Sequence, residues 1–164
     1  AERTMNTYLG VSSETKFSEI NFEKLSSANL LFMEAYVVTS SDTKDTAEKL
    51  IKSCHESGIK IALSLSDPGL VAGFKDEIKI WMNKKIDYLF CNYEEAKTFC
   101  NENGFDDLRN YAKTIFITNG INPTIVLEEK LTYEVSAFEA NAVDTNGAGD
   151  MFAGGVIHGL SEGW

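Results

Sequence analysis

The chain has 164 residues, 43% of them hydrophobic, so it can bury one sizeable core and is predicted to form a single domain over residues 1–164. Its formal net charge of -10 and the lack of a basic run exclude a nucleic-acid partner, because no lysine or arginine cluster can neutralise phosphates. The three cysteines fit no zinc or redox spacing, and neither a cationic, apolar leader nor a membrane-length apolar run is present, which predicts a cytoplasmic protein with no membrane partner.

The first third of the chain carries a short β-prone run, a short helix and a buried strand. We predict the β-prone run at residues 8–11, the helix at 17–25 and the strand at 29–38. A helix follows at residues 43–57, where apolar side chains recur at helical spacing and Gly58 ends the pattern.

The next elements continue the alternation of strands and helices. A strand is predicted at residues 59–64, and a helix begins at Asp67 and Pro68, which have the residue types of an N-cap and a first helical position. Strand, helix and strand in succession predict a right-handed crossover in a parallel sheet.

The second half of the chain is predicted to add two more strands, a helix and a hairpin. The sequence predicts strands at 86–90 and 114–118, a helix at 105–112, and a hairpin whose strands are 124–127 and 132–135. An apolar helical pattern closes the chain after Gly149.

Residues 144–155 form the stretch that most resembles a binding site, because a glycine-rich turn leads directly into that helix. Gly147 and Gly149 let the backbone approach a ligand, and the first amides of a helix have no intrahelical acceptor, so this turn is suited to bind a phosphate. Asp150 would repel a phosphate bound at this turn. A carboxylate in that position is therefore best explained as a general base on an attacking hydroxyl. The alternative is that Asp150 complements the helix dipole and the glycines only turn the chain. A dinucleotide-binding fingerprint is disfavoured, since Phe152 stands where its third glycine belongs.

A second motif is formed by Asn92 and Glu95, which follow a predicted strand. Carboxylate oxygen is the ligand that Mg²⁺ prefers, usually with several waters retained. The same spacing is typical of a capping box at a helix start, and both interpretations can hold together.

The run from Asp144 to Gly155 resembles the C-terminal signature of the ribokinase-like (PfkB-type) carbohydrate kinases, and other runs resemble their adenosine-kinase-like branch. The resemblance implies a Rossmann-like, ribokinase-type three-layer α/β/α sandwich with a mostly parallel sheet. It implies that Asp150 is the catalytic base and that the amides of Gly147, Ala148 and Gly149 form the anion hole. Family members are nearly twice as long, so we expect an incomplete domain in which the lid and the C-terminal end are missing.

The resemblance also implies roles at the nucleotide. Asn92 and Glu95 would place magnesium through water, and Thr118 and Gly120 would contact the nucleotide phosphates, although Pro123 stands where the family usually has glycine. Arg3 resembles an arginine that reaches the phosphates in some relatives, the alternative being an exposed terminal arginine. Asp144 would help to hold potassium, as in some relatives, or would only cap the turn.

The implied activity is transfer of the γ-phosphoryl group of ATP to a hydroxyl of a sugar or nucleoside, with Mg²⁺ and, in some relatives, K⁺ as cofactors. The alternative is a catalytically inactive fragment that binds phosphate or a partner. Relatives often dimerise through the lid, so a homodimer is one expectation for the full-length protein.

Overall fold

The computed structural model describes residues 7–100 and 104–164 and contains a six-stranded sheet in the order β1-β2-β3-β4-β5-β6. The strands are β1 Leu30–Glu34, β2 Lys60–Ser64, β3 Ile86–Asn92, β4 Ala112–Asn119, β5 Asn122–Glu128 and β6 Leu131–Val135. The helices are α1 Phe22–Ser26, α2 Ser41–Ser57, α3 Pro68–Trp81, α4 Tyr93–Cys100 and α5 Ala148–Ser161.

Strands β1 to β4 run parallel, and β5 and β6 form an antiparallel hairpin on β4. The predicted parallel sheet and the predicted hairpin are therefore both confirmed. Since the carboxyl ends of parallel strands lie at one edge, the turns after β1, β2, β3 and β4 are brought together there.

Local sequence signals set the helix ends. Gly58 ends α2 with a φ of 70°, a left-handed conformation that glycine adopts without strain. The Asp67 carboxylate accepts a hydrogen bond from the amide of Leu70 at 3.0 Å, with Pro68 at the first position of α3. Both boundaries match the sequence prediction.

The sheet has one well-covered face and one sparsely covered face. The larger core lies on the face covered by α2, α3 and α4. On the other face, α5 packs through a small cluster centred on Ala62, Phe90 and Ala153. These layers give the three-layer α/β/α arrangement, with apolar side chains of β6 such as Tyr133 and Val135 still exposed.

Four predicted elements differ from the observed ones in type or in length. The run at 8–11 is not a strand, because residues Gly10–Glu14 form a 3₁₀ helix in which Ser13 Oγ donates to the carbonyl of Gly10 at 2.7 Å. The helix at 17–25 is interrupted, since the side chain of Asn21 caps α1 by accepting from the Lys24 amide.

The two other differences are also short 3₁₀ segments. The strand predicted at 29–38 ends at Glu34, where Ala35–Thr39 turn into a 3₁₀ helix. The helix predicted at 105–112 is a 3₁₀ helix over Phe105–Asn110, and the chain enters β4 at Ala112.

Candidate active site

A cleft of about 660 Å³ lies at the carboxyl ends of β1 to β4, between these strands and the N-terminus of α5. Its wall on the sheet side comes from the residues that end the strands or follow them. Its other wall is the glycine-rich turn and the first turn of α5. The cleft is lined by Glu34, Tyr36, Ser64, Ser66, Phe90, Cys91, Asn92, Glu95, Thr118, Thr145, Asn146, Gly147, Ala148, Gly149, Asp150 and Phe152.

Aromatic packing places the N-terminus of α5 over the sheet. The Phe152 ring lies edge-on to Phe116 with ring centroids 6.3 Å apart, and Phe116 stacks on Phe90 at 5.1 Å. Because Phe152 follows Asp150 by two residues, this contact fixes the first turn of α5 beside the cleft.

The turn before α5 presents backbone amides to the cleft. Gly147 is the N-cap of α5 with a φ of 75°, and no side chain caps this end of the helix. The amide of Ala148 donates to the carbonyl of Thr145 at 3.2 Å. Among the described residues, no backbone acceptor receives the amides of Gly147 or Gly149. Within that described part, these two amides have no backbone acceptor and can donate to an anion, whereas the amide of Ala148 already has an internal acceptor.

Asp150 lies in the first turn of α5, lines the cleft and is exposed. A Cβ on Gly147 would come within 3.9 Å of its Oδ2 atom, so the carboxylate lies close to the amide turn. Across the cleft, burial and the negative charge of Asp150 raise the pKa of Glu34. Two carboxylates on opposite walls can accept hydrogen bonds from different hydroxyls of one ligand.

Asn92 and Glu95 form a reciprocal capping box at the start of α4. Glu95 Oε2 accepts from the Asn92 amide at 2.9 Å, Glu95 Oε1 accepts from Asn92 Nδ2 at 2.7 Å, and Asn92 Oδ1 accepts from the Glu95 amide at 2.9 Å. Glu95 is 5% exposed. Burial raises the pKa of this carboxyl, although the hydrogen bond from the Asn92 backbone lowers it. The capping interpretation therefore describes the local structure, and both residues also line the cleft.

The remaining predicted residues are spread around the cleft. Thr118 lines it, with its hydroxyl 3.5 Å from the carbonyl of Cys91. Gly120 has a φ of 59° in the turn between β4 and β5 and is not among the lining residues. Asp144 closes a tight turn, where its Oδ1 accepts from the Asn146 amide at 2.9 Å. Arg3 lies outside the described residues.

The sequence model of one protein family, described as pfkB family carbohydrate kinase, matches residues 1–164. The chain belongs to this family. It is similar to the adenosine kinase of Saccharomyces cerevisiae, with 31% identity over 163 residues that cover 87% of this chain and 46% of that protein. It is also similar to the ribokinase of Lactococcus lactis, with 26% identity, covering 86% of this chain and 43% of that protein.

Solved pfkB-type structures have the same fold. The adenosine kinase of Sinorhizobium meliloti superposes with a TM-score of 0.85 at 24% identity, covering 92% of this chain and 48% of that one. The ribokinase-like α/β fold predicted from the sequence is thereby confirmed. The chain spans about half the length of the relatives it matches.

The donor set of this pfkB chain fits a magnesium ion held through water. Within residues 7–100 and 104–164, no cluster of three or more His, Cys, Asp or Glu side chains could hold a metal ion. Both oxygens of Glu95 already accept hydrogen bonds from Asn92, so its remaining lone pairs suit a water ligand of the ion better than direct coordination. In the same described part of the chain, none of the helices combines the length and the apolar character that crossing a bilayer requires.

Sequence reasoning missed the part of this pfkB cleft that β1 and β2 contribute. Glu34, Tyr36, Ser64 and Ser66 line it. The two serines lie in the run 63–68, whose resemblance to the adenosine-kinase-like branch indicates the subfamily only, and none of the four was predicted as a site residue. The signal that could have found them is positional, because each lies at or just beyond the carboxyl end of a parallel strand.

Proposed function

We propose that the protein carrying this sequence is an ATP-dependent phosphotransferase that moves the γ-phosphoryl group of ATP to a hydroxyl of a sugar or nucleoside. The observation that carries the proposal is the position of Asp150 and of the free amides of Gly147 and Gly149 in one cleft. A base and an anion-binding turn in one site are what attack of a hydroxyl on a phosphate requires.

In the proposed reaction, Asp150 removes the proton of the acceptor hydroxyl as its oxygen attacks the γ-phosphorus of ATP. The bond from phosphorus to the β–γ bridging oxygen breaks, and ADP leaves with the electron pair. The amides of Gly147 and Gly149 donate to oxygens of the transferred group, where negative charge is concentrated. The amide of Ala148 contributes only when it exchanges its 3.2 Å bond to the Thr145 carbonyl for the phosphoryl oxygen.

Magnesium would neutralise charge on the ATP phosphates when bound. Asn92 and Glu95 would hold its water ligands from the end of β3, and their capping box keeps both side chains in fixed positions. Thr118, on the neighbouring strand end, would donate its hydroxyl to a phosphate oxygen of the nucleotide. Potassium at Asp144 stays a prediction, since this carboxylate already closes the turn through Asn146.

The acceptor would lie between the two carboxylates of the cleft. With Asp150 at the attacked hydroxyl, Glu34 can accept a hydrogen bond from a second hydroxyl, which favours polyhydroxy compounds over simple alcohols. Adenosine and ribose are the first acceptors to test, because the similar proteins are named adenosine kinase and ribokinase.

The test is Asp150→Asn in the protein at its natural length. We expect transfer to fall by about 10²–10⁴-fold, the usual contribution of a general base, with ATP affinity nearly unchanged because the amides remain. A coupled ADP-release assay measures turnover, and calorimetric titration measures ATP binding. Glu162→Gln, at the opposite end of the same helix, is the matched control and should keep full activity. Turnover retained in Asp150→Asn would remove its role as base.

A second candidate function is a non-catalytic module that binds phosphate or a partner chain. It is favoured by one observation: residues 128–151 are all exposed, and they include the whole amide turn and Asp150. A site so open to water can bind an anion without excluding the solvent that phosphoryl transfer must avoid.

A further inference from the structure

Ser66 holds a backbone conformation that serine rarely adopts. It lies in the turn from β2 to α3 and has a φ of 68°, one of three positive values among the non-glycine residues that the structure describes. Of these three, only Ser66 lines the cleft. A non-glycine residue whose backbone is kept in the left-handed region requires surrounding contacts that hold it there.

The hydroxyl of Ser66 supplies such contacts. Its Oγ donates to the carbonyl of Ser64 at 3.2 Å and accepts from the amide of Ala35 at 3.2 Å. The pairing of β1 with β2 ends at Glu34 and Ser64. The hydroxyl of Ser66 therefore makes the next link between the segments that follow these two strands. Ala35 is fully buried, and without Ser66 its amide would lose the acceptor that the structure provides.

The anchored amide lies between two residues of the cleft wall. Glu34 and Tyr36 flank Ala35 in sequence, and both line the cleft opposite the amide turn of α5. A shift of the Ala35 backbone therefore moves both side chains relative to Asp150. The nucleotide side of the cleft, at Asn92 and Thr118, belongs to β3 and β4, and the two bonds of the Ser66 hydroxyl go to Ala35 and Ser64 instead.

We propose that Ser66 is a positioning residue for the acceptor, because its hydroxyl and left-handed backbone fix Ala35 and thereby place Glu34 and Tyr36. This inference rests on the proposed phosphotransferase function and adds to it which wall of the cleft selects the acceptor. A positioning role predicts an effect on the acceptor that is separate from any effect on ATP.

The test uses Ser66→Ala and Ser66→Gly in the protein at its natural length, with adenosine and ribose as acceptors. Ser66→Ala removes the hydroxyl and keeps the strained φ, whereas Ser66→Gly removes the hydroxyl and relieves the strain, so at least the second variant should fold. For both, KM for the acceptor should rise by about 3- to 10-fold, the equivalent of one lost hydrogen bond, with KM for ATP changed by less than about 2-fold. Hydrogen exchange at the Ala35 amide should become faster in both.

The matched control is Ser40→Ala. Ser40 Oγ also makes a side-chain hydrogen bond to a distant carbonyl, that of Ser13 at 2.6 Å, but Ser40 is not part of the cleft. It should lower thermal stability and leave both KM values unchanged. The positioning role would be overturned if the KM for the acceptor were unchanged in both Ser66 variants, or if the KM values for acceptor and ATP rose in parallel. In either case, turnover by the wild-type protein would leave the proposed function standing. A wild-type protein without turnover would overturn the proposed function and this inference together.

Discussion

The carboxyl group of Glu34 reports on the charge of Asp150 across the cleft. Glu34 is exposed at the end of β1, and partial burial of its carboxyl group is the larger cause of its raised pKa, with the Asp150 carboxylate the smaller. Asp150→Asn should therefore lower the pKa of Glu34 without returning it to the usual range. A ¹³C NMR titration of the glutamate carboxyl carbons measures this shift. Asp144→Asn, on the same loop, should leave it unchanged, and an equal shift in both variants would contradict the facing arrangement.

The same raised pKa makes the stability of the fold depend on pH. A carboxyl group whose pKa is higher in the folded state stabilises the fold while it is protonated. This contribution is fully present below the ordinary glutamate pKa of 4.5 and is lost as pH rises through the folded-state pKa. Urea unfolding of Glu34→Gln and wild type should show the variant gaining relative stability across that interval. A difference that does not change with pH would contradict the raised pKa.

Individual site residues could be predicted from the sequence where they belong to a recognisable motif. Asp150 and the glycines before it lie in the cleft as expected. The motif could not reveal that the Ala148 amide is occupied by Thr145, since this bond depends on the detailed path of the turn. Glu34 could not be found either, because its position follows from where β1 ends.

The capping box is the element-scale feature with the largest expected effect on stability. Asn92→Ala removes two of the three hydrogen bonds between Asn92 and Glu95, and it leaves a carboxylate that is 5% exposed with fewer donors. We expect a loss of about 2–3 kcal/mol in the free energy of unfolding, measured by chemical denaturation.

Asn21→Ala is the matched control for this prediction. Asn21 also caps a helix, accepting from the Lys24 amide at 3.0 Å, but at an exposed site. Its loss should cost about 0.5–1 kcal/mol. Equal losses for the two variants would indicate that burial of Glu95 adds nothing to the cap.

Arg109 links the hairpin of β5 and β6 to the 3₁₀ segment Phe105–Asn110. Its guanidinium donates to the carbonyls of Glu129 and Leu131 at 2.9 and 3.0 Å and to Thr132 Oγ1 at 2.8 Å. Arg109→Lys keeps the charge but cannot make this planar set of bonds, so it should cost about 1–2 kcal/mol and speed amide exchange in the hairpin turn.

The ion pair of Arg109 should matter much less than these backbone contacts. Its partner Asp106 is 85% exposed, and exposed ion pairs contribute little. Asp106→Asn should therefore leave exchange in the turn almost unchanged. An effect as large as that of Arg109→Lys would assign the anchoring to charge rather than to geometry.

Elements with strong periodicity and clear end signals were predicted well from sequence. Helix α2, the start of α3 and the hairpin have the predicted positions because their glycine, proline and apolar patterns act locally. The 3₁₀ segments were missed because they depend on side-chain bonds such as Ser13 to Gly10, which no apolar period encodes. Residues 8–11 had a β-prone composition, but within the described residues the sheet begins at β1.

At the scale of the whole molecule, the parallel sheet brings the candidate site residues together at one edge. Four strand ends and one helix start bring residues from Glu34 to Asp150 into a single cleft. The family could be recognised from one signature, yet the cleft required the strand order, because it combines segments more than a hundred residues apart in sequence.

Exposure of the amide turn decides how the 164-residue chain should behave by itself. Asp150 and the free amides are present, so the chain should bind ADP or inorganic phosphate in calorimetric titration. The wall that carries them is exposed, as is the whole range 128–151, so water competes for the phosphoryl group and for the base. We expect transfer to adenosine or ribose at less than about 1% of the rate of a full-length adenosine kinase or ribokinase, since phosphoryl transfer depends on positioning in a site that excludes water.

Gly147→Ala separates the two functions in this assay. The left-handed φ of 75° at Gly147 disfavours alanine, so the variant should lose phosphate binding while α5 stays folded. Asp150→Asn in the same chain should retain or strengthen phosphate binding, because it removes a negative charge beside the anion. Turnover by the 164-residue chain close to that of a full-length adenosine kinase or ribokinase would contradict the requirement for a closed site. Binding that survives Gly147→Ala would place the anion somewhere other than the start of α5.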